Sequence, residues 1–325
     1  MSPEARLSFP CFGGEVAVHL STRDRDSGVN RDLQRSRERL LIVHRELSRF
    51  IPSSELSRLN RAPQRTVRAS RLMRMFVRAA LFAARRSRGL VDPTLVGALE
   101  QAGYESSLDV GEALPLQDAL AAIGDLRRPA CADPSPGWRS LEVDDRAGTV
   151  SRAPGVRLDS GGIAKGLAAD MIAGALRQHP AYAVDCCGDV RIGGLSGVPR
   201  KVIVDDPFGG RALHEFEVDD GAAATSGIGR RAWLDPDGRP AHHLLDPATG
   251  EPAFTGIVQA TALAPTAQLA EVLAKTALLR GPEGAAGELP YGGALVFDNG
   301  SFQVVPGSRS MAFTDPRSPG AGVAA

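Results

Sequence analysis

The chain has 325 residues, 43% of them hydrophobic, with 38 basic and 38 acidic side chains and no net charge. A chain of this size buries one large core or two moderate ones, and its balanced charge sets up no overall field toward a nucleic-acid backbone or an anionic membrane. No nucleic-acid partner and no membrane insertion are expected: Met1–Pro10 lacks the apolar core of a secretory leader, and no run approaches the ~18 apolar residues of a span, which favours a cytoplasmic protein.

Apolar residues at helical spacing (Leu33, Leu40, Val43, Leu47) predict a first helix from about Arg31 to Arg49, ending before Pro52. A second helix is predicted from Ser70 to Arg88, with Gly89 as its stop. From Ala102 to Ser140, proline, glycine and acidic residues break every pattern except a helical piece near Leu116–Ile123, so this stretch reads as a surface excursion remote from the chemistry. Strands are predicted at 140–143, 149–152, 181–186, 201–204, 214–218, 256–263, 294–297 and 302–305, interrupted by helices at Ile163–Arg177 and Ala267–Leu279. Successive strands without an intervening helix predict an α+β fold, with mixed or antiparallel sheets flanked by helices. One domain is expected over residues 1–305, as a single body or two lobes, followed by a flexible tail over 306–325. Cys11, Cys131, Cys186 and Cys187 have no metal-ligand spacing and read as buried free thiols.

Three segments carry chemistry. In Asp159-Ser160-Gly161-Gly162-Ile163-Ala164-Lys165-Gly166 a carboxylate and two glycines precede a helix start, whose free amides, with Lys165 one turn in, can hold a phosphate. An Asp-capped turn with a solvated lysine explains the same residues equally well. In the second, Thr225-Ser226-Gly227 is followed, after a turn, by His242-His243-Leu244-Leu245-Asp246-Pro247-Ala248-Thr249-Gly250. A histidine beside a carboxylate can serve as a general base, although Asp-Pro-x-Thr-Gly is also a well-formed tight turn, the reading its residues favour. In the third, Thr266 caps a helix that Gly281 ends, placing Glu271 and Lys275 one turn apart as either a surface ion pair or a catalytic face. Lysine is rare here, confined to Lys165, Lys201 and Lys275, and two of the three fall in these segments.

Taken in order, the three segments resemble the ApbE flavin transferases. The family's Asp-Leu-Gly-Gly-Ile-Ala-Lys-Gly is matched by Asp159–Gly166, its Gly-Gly-Asp-Ile-Arg by Cys187–Arg191, and its Thr-Ser-Gly and His-x-Leu-Asp-Pro-x-Thr-Gly by Thr225–Gly227 and His243–Gly250. Pro52–Asn60 and Asp92-Pro93-Thr94 are similar to two further motifs, so the resemblance runs from Phe12 to Leu279. It implies a T-fold-like architecture and an FAD:protein FMN transferase, with FAD and an acceptor flavoprotein as partners. Such an enzyme moves FMN from FAD to a threonine or serine hydroxyl and releases AMP. FAD hydrolysis and FAD binding without catalysis are the alternatives.

By the same resemblance, Phe12, Phe50, Leu90, Val91, Asp92 and Asp159 line the FAD site with Lys165, Thr225, Ser226 and Leu245. His243, Asp246 and Lys275 stand at catalytic positions, and Gly162, Glu271 and Lys275 at those of a Mg²⁺ site. This chain departs from the pattern there: the family's Asp-x-x-x-Thr is Glu271…Lys275, its methionine is Phe12, a tyrosine is Phe50 and a glycine is Cys187. Protonated lysine has no lone pair to offer a metal. Lys275 is therefore expected to put its own charge near the magnesium position.

Overall fold

The computed structural model describes residues 4–21, 27–106, 114–124, 126–229 and 231–311. Its first half comprises strands β1 (Glu4–Cys11) and β2 (Gly14–Ser21), helices α1 (Ser27–Leu47) and α2 (Glu55–Arg61), strand β3 (Thr66–Arg68), helices α3 (Arg71–Arg86), α4 (Val96–Gln101) and α5 (Leu116–Ala122), and strands β4 (Glu142–Asp144) and β5 (Thr149–Ser151). Then follow α6 (Ala164–Leu176), β6 (Tyr182–Cys186), β7 (Asp189–Gly193), β8 (Arg200–Val204), β9 (His214–Val218), β10 (Gly221–Gly227), β11 (Ala232–Leu234), β12 (Pro240–His242), β13 (Ile257–Ala264), α7 (Ala267–Ala285), β14 (Gly293–Phe297) and β15 (Phe302–Val305).

Eight strands form one sheet in the order β1-β2-β6-β7-β10-β13-β14-β15, each antiparallel to its neighbours. On one face α1 lies over β1 and β2, α6 over β6 and β7, and α7 over β10 and β13, with α3 outside them. The β8–β9 hairpin covers the other face, setting Val202, Phe216 and Val218 on Ala183, Ile192, Ala223 and Leu263. The α+β architecture predicted from the order of elements is the one observed. Among the described residues no helix is long and apolar enough to cross a membrane.

The helices form where capping and periodicity agree. Ser70 accepts a hydrogen bond from the Met73 amide at the start of α3, whose Met73, Phe76, Val77, Ala80 and Ala83 then face inward. Ser54 caps α2 in the same way, through the Ser57 amide. At the other end of α2 the buried guanidinium of Arg152 donates to the carbonyls of Leu59 and Ala62, reinforcing the helix end. The helical run of α7 breaks at Gly281, where φ is 70°, so glycine ends the regular helix and a shorter run follows Pro282.

Four strands of the central sheet, β1, β2, β7 and β10, were not apparent from sequence. The β1–β2 hairpin is disguised by Pro10, which sits on an edge strand. Strand β10 reads Gly-Ala-Ala-Ala-Thr-Ser-Gly, with little β propensity, yet lies mid-sheet because its small side chains let α7 pack closely. The two-residue turn after β1 puts Phe12 (φ 55°) and Gly13 at positive φ, and the turn after β6 does the same with Cys187 (φ 58°) and Gly188. The two turns abut, the Cys187 thiol lying 3.4 Å from the Cys11 carbonyl. The thiols were expected to be buried; Cys131 is instead exposed and Cys187 only partly covered. Of the tail expected over 306–325, residues 312–325 lie outside the described residues, while the Ser308 and Arg309 amides donate to the Pro290 carbonyl.

Candidate active site

A pocket opens where the N-terminal end of α6, the C-terminal end of α1 and the middle of α7 converge. Asp159–Lys165 forms its floor, and each part of that turn is held by a residue distant in sequence. Asn60 accepts from the Leu158 amide and donates to the Leu158 carbonyl, both at 2.8 Å. Ser160 donates to the Leu47 carbonyl at 2.6 Å. One Asp159 oxygen accepts from Arg49 Nε at 2.9 Å and the other from the Gly161 amide at 2.8 Å. The Arg49 guanidinium lies 4.2 Å from the centre of the Phe50 ring and 4.8 Å from that of Tyr104, so the ion pair also fixes an aromatic wall. Ser54 and Ser57, at the start of α2, donate to the carbonyls of Ser48 and Arg49, pinning that segment of wall from behind.

Beneath the floor lies a buried array of two cations and two anions. Lys165 Nζ donates to Asp189 Oδ2 at 2.6 Å and lies 3.9 Å from Glu271 Oε1. Lys275 Nζ donates to Glu271 Oε1 at 2.9 Å, and Glu271 Oε2 accepts from the Gly166 amide at 3.0 Å. The Glu271–Lys275 pair, whose spacing allowed either a surface ion pair or a catalytic face, is thus inside, with side-chain exposures of 1% and 7%. Burial alone would raise the Glu271 carboxyl, but Lys275 and then Lys165 outweigh it and hold it below the usual range. Burial alone would lower Lys165, but Asp189 and Glu271 hold its ammonium above the lysine norm. For Asp189, burial prevails over Lys165 and pushes the carboxyl up to about 6.

The array depends on the close crossing of α6 and α7. A Cβ on Gly166 would lie 2.7 Å from the Ala267 carbonyl oxygen and 2.8 Å from Gln268 Cα, so no larger residue fits. One turn further along α6, Asp170 accepts from the amides of Ala267 and Gln268 at 2.9 Å each, alongside the cap from Thr266. Burial raises the Asp170 carboxyl in spite of those donors.

Of the two adjacent histidines, His243 lines the pocket, whereas His242 is buried against Phe254 and accepts from the Leu244 amide. Burial lowers His242 to about 3. Burial, followed by the positive charge of Arg231, also holds His243 well below the imidazole norm, and its buried Nδ1 has no hydrogen-bond partner among the described residues. It is a neutral, unengaged base. Asp92, raised by burial, accepts from Thr94 through one oxygen, and its other oxygen is buried with no hydrogen-bond partner among the described residues.

Phe12, Phe50, Leu90, Val91, Asp92, Asp159, Gly162, Lys165, His243, Leu245 and Lys275 all come together on the pocket wall. Glu271 stands directly behind it through Lys275. Asp246 is not part of the wall: its carboxylate accepts from the Cys131 and Ala248 amides and its carbonyl from Gly250, so it builds the Asp-Pro-x-Thr-Gly turn. Thr225 and Ser226 are likewise absent from the wall. Thr225 bonds Thr261 across the strands, and the alternation of β10 points Ser226 toward the helices and Thr225 away from them.

Several wall residues escaped the sequence reading, Tyr104, Arg49 and Arg231 among them. Tyr104 lies in the stretch taken for a remote excursion, yet it is buried and stacks on Trp233 at 5.2 Å. Arg49 and Arg231 are hidden by composition, since arginine supplies all but three of the basic residues and its mere presence carries no signal.

Residues 12–289 match the model of a family described as the ApbE family. A protein of Vibrio cholerae named FAD:protein FMN transferase is 29% identical over 265 residues, 78% of this chain and 75% of the relative. One of the same name from Treponema pallidum is 30% identical over 227 residues, 60% of this chain and 62% of the relative. Among solved structures, the ApbE protein of Thermotoga maritima superposes with a TM-score of 0.76 at 25% identity, covering 93% of this chain and 97% of that one. The flavin transferase ApbE of Vibrio cholerae does so with a TM-score of 0.73 at 22% identity, over 95% and 98%.

Proposed function

Because the chain belongs to the ApbE family, we propose that it is an FAD:protein FMN transferase that moves FMN from FAD to a threonine or serine hydroxyl of an acceptor flavoprotein and releases AMP. The observation that carries this reading is the pocket itself. The glycines of a helix start share the pocket with the rings of Phe12, Phe50 and Tyr104, and a neutral histidine stands on the same wall as Lys165 and Lys275.

In the reaction the acceptor hydroxyl oxygen bonds the phosphorus on the riboflavin side of the diphosphate. The bond from that phosphorus to the bridging oxygen breaks, and its electron pair leaves with AMP. His243, on the pocket wall, is the residue placed to take the hydroxyl proton as the new bond forms. Such a transfer depends on positioning and on positive charge set against the phosphate oxygens more than on covalent help from the protein. The rigid floor supplies the positioning: Asn60, Arg49 and Ser160 leave the Asp159–Gly162 turn one conformation.

A resident Mg²⁺ does not fit the residues at the position the family pattern implies. The Lys275 stem runs along Gly162, with its Cε 3.4 Å from where a Cβ of that glycine would lie, and both Glu271 oxygens are already engaged. Among the described residues no three carboxylate, histidine or cysteine side chains cluster as metal ligands. A cytoplasmic location accords with four free thiols.

Incubation with FAD and an acceptor flavoprotein domain, followed by mass spectrometry, tests the reading. An acceptor mass increase equal to FMN is expected. FMN and AMP released free, with the acceptor unmodified, would identify a hydrolase, and bound, intact FAD would identify a carrier.

A further inference from the structure

Four cations line the pocket. Arg49 is paired with Asp159, Lys165 with Asp189 and Lys275 with Glu271. Arg231 alone among them makes no ion pair with the described residues; its hydrogen bonds to them are long, 3.4 Å to the Phe12 carbonyl and 3.5 Å to the Tyr104 hydroxyl. A partly buried guanidinium with no anion of its own, set on the wall of a deep site, is matched to an anion that arrives from outside.

Charge counting shows why Lys275 is not sufficient. A divalent ion on one carboxylate leaves one net positive charge, whereas the Lys275 ammonium on Glu271 leaves none. Among the four wall cations, Arg231 is the one whose charge no paired carboxylate among the described residues offsets. Lys275 still has two N–H directions beyond the one given to Glu271, so it can donate without contributing net charge.

We propose that Arg231 and Lys275 together hold the diphosphate of the flavin dinucleotide, Arg231 by charge and Lys275 by donation, so that FAD binds here without a divalent metal. The inference rests on the FAD reading above. Both side chains border His243, whose depressed basicity registers their fields among others.

Quenching of flavin fluorescence measures the binding, with riboflavin as the phosphate-free probe. Wild-type protein is expected to bind FAD equally in EDTA and in Mg²⁺. Arg231→Met removes charge-assisted hydrogen bonds worth roughly 1.5–3 kcal/mol, so it should weaken FAD about ten- to a hundredfold and leave riboflavin unchanged, with Arg231→Lys recovering part of the loss. A merely structural role for Arg231 would weaken both probes alike and overturns the proposal. The Glu271→Asp/Lys275→Thr double variant should bind FAD weakly in EDTA, regain affinity with Mg²⁺ and take up Mn²⁺ by electron paramagnetic resonance. Stoichiometric Mn²⁺ uptake by the wild-type protein with FAD, or a wild-type requirement for Mg²⁺ in binding, overturns it as well. If FAD binds as described but no FMN is transferred, the transferase reading fails and this inference stands; if FAD does not bind at all, both fall.

Discussion

Replacing Lys275 by methionine keeps the aliphatic stem against Gly162 but strands the Glu271 carboxylate, which is buried to 1% exposure. Removing one partner of a buried pair typically costs about 3–5 kcal/mol. Glu271 retains the Gly166 amide at 3.0 Å and Lys165 at 3.9 Å, which places the expected loss near the lower end of that range, about 3 kcal/mol at neutral pH. The loss should depend on pH with a definite sign. In the native protein the Glu271 carboxyl lies below its ordinary value, so its ionised form adds stability that is present above the unfolded pKa and is lost as pH falls through the folded one. Without Lys275, burial dominates and the folded value rises above the unfolded one, so the same group loses stability as pH climbs. The gap between the two proteins should therefore be narrow at about pH 4 and wide at pH 7. Urea unfolding of both at several pH values measures it. A gap below about 1 kcal/mol at neutral pH, or one that does not change with pH, would refute the assignment of Glu271 and Lys275 as a buried, mutually dependent pair.

Four further outcomes are expected. Gly166→Ala drives a Cβ into the backbone of α7 and should lower stability by about 2 kcal/mol in urea unfolding, whereas a neutral result would mean the helices cross less tightly than described. Asn60→Ala removes both hydrogen bonds to Leu158 and should cost about 2 kcal/mol along with a measurable loss of FAD affinity; unchanged FAD affinity would show that the floor holds its shape without it. His243 stays neutral because burial and its cationic neighbours oppose protonation, so its imidazole resonances should show no titration near pH 6.5. His243→Gln should reduce FMN transfer about a hundredfold or more while leaving FAD bound, and an equal loss of binding would argue against its role as the base.

The α+β class was legible because strands follow strands in the second half of the chain, and α1, α3, α6 and α7 because apolar residues recur along them, with Ser70 and Thr266 marking the starts of α3 and α7. The floor of the site was legible because its residues are contiguous: a carboxylate, two glycines and a lysine ahead of a helix can be recognised without knowing the rest. What lay beyond reading was assembled by the fold. Nothing near Asn60 indicates that its amide will grip Leu158, and nothing near Tyr104 or Arg231 shows that they will meet Arg49 and Phe12, 55 and 219 positions away, on one pocket wall. The Glu271–Lys275 pair shows the same limit in another form. Its spacing is local, but whether such a pair is wet or dry depends on α6, whose Gly166 lets the two helices close over it.

That closure has a consequence for how the site opens. Glu271 of α7 receives an amide from the first turn of α6, and Asp170 of α6 receives two from the first turn of α7. Each helix thus completes the start of the other, and neither N-terminus can fray without stripping a partner from its neighbour. The amide protons of Gly166, Ala267 and Gln268 should then exchange with solvent as one cooperative unit, at a single opening free energy, and the ligand-facing turn inherits the stability of a helix that begins about a hundred residues later.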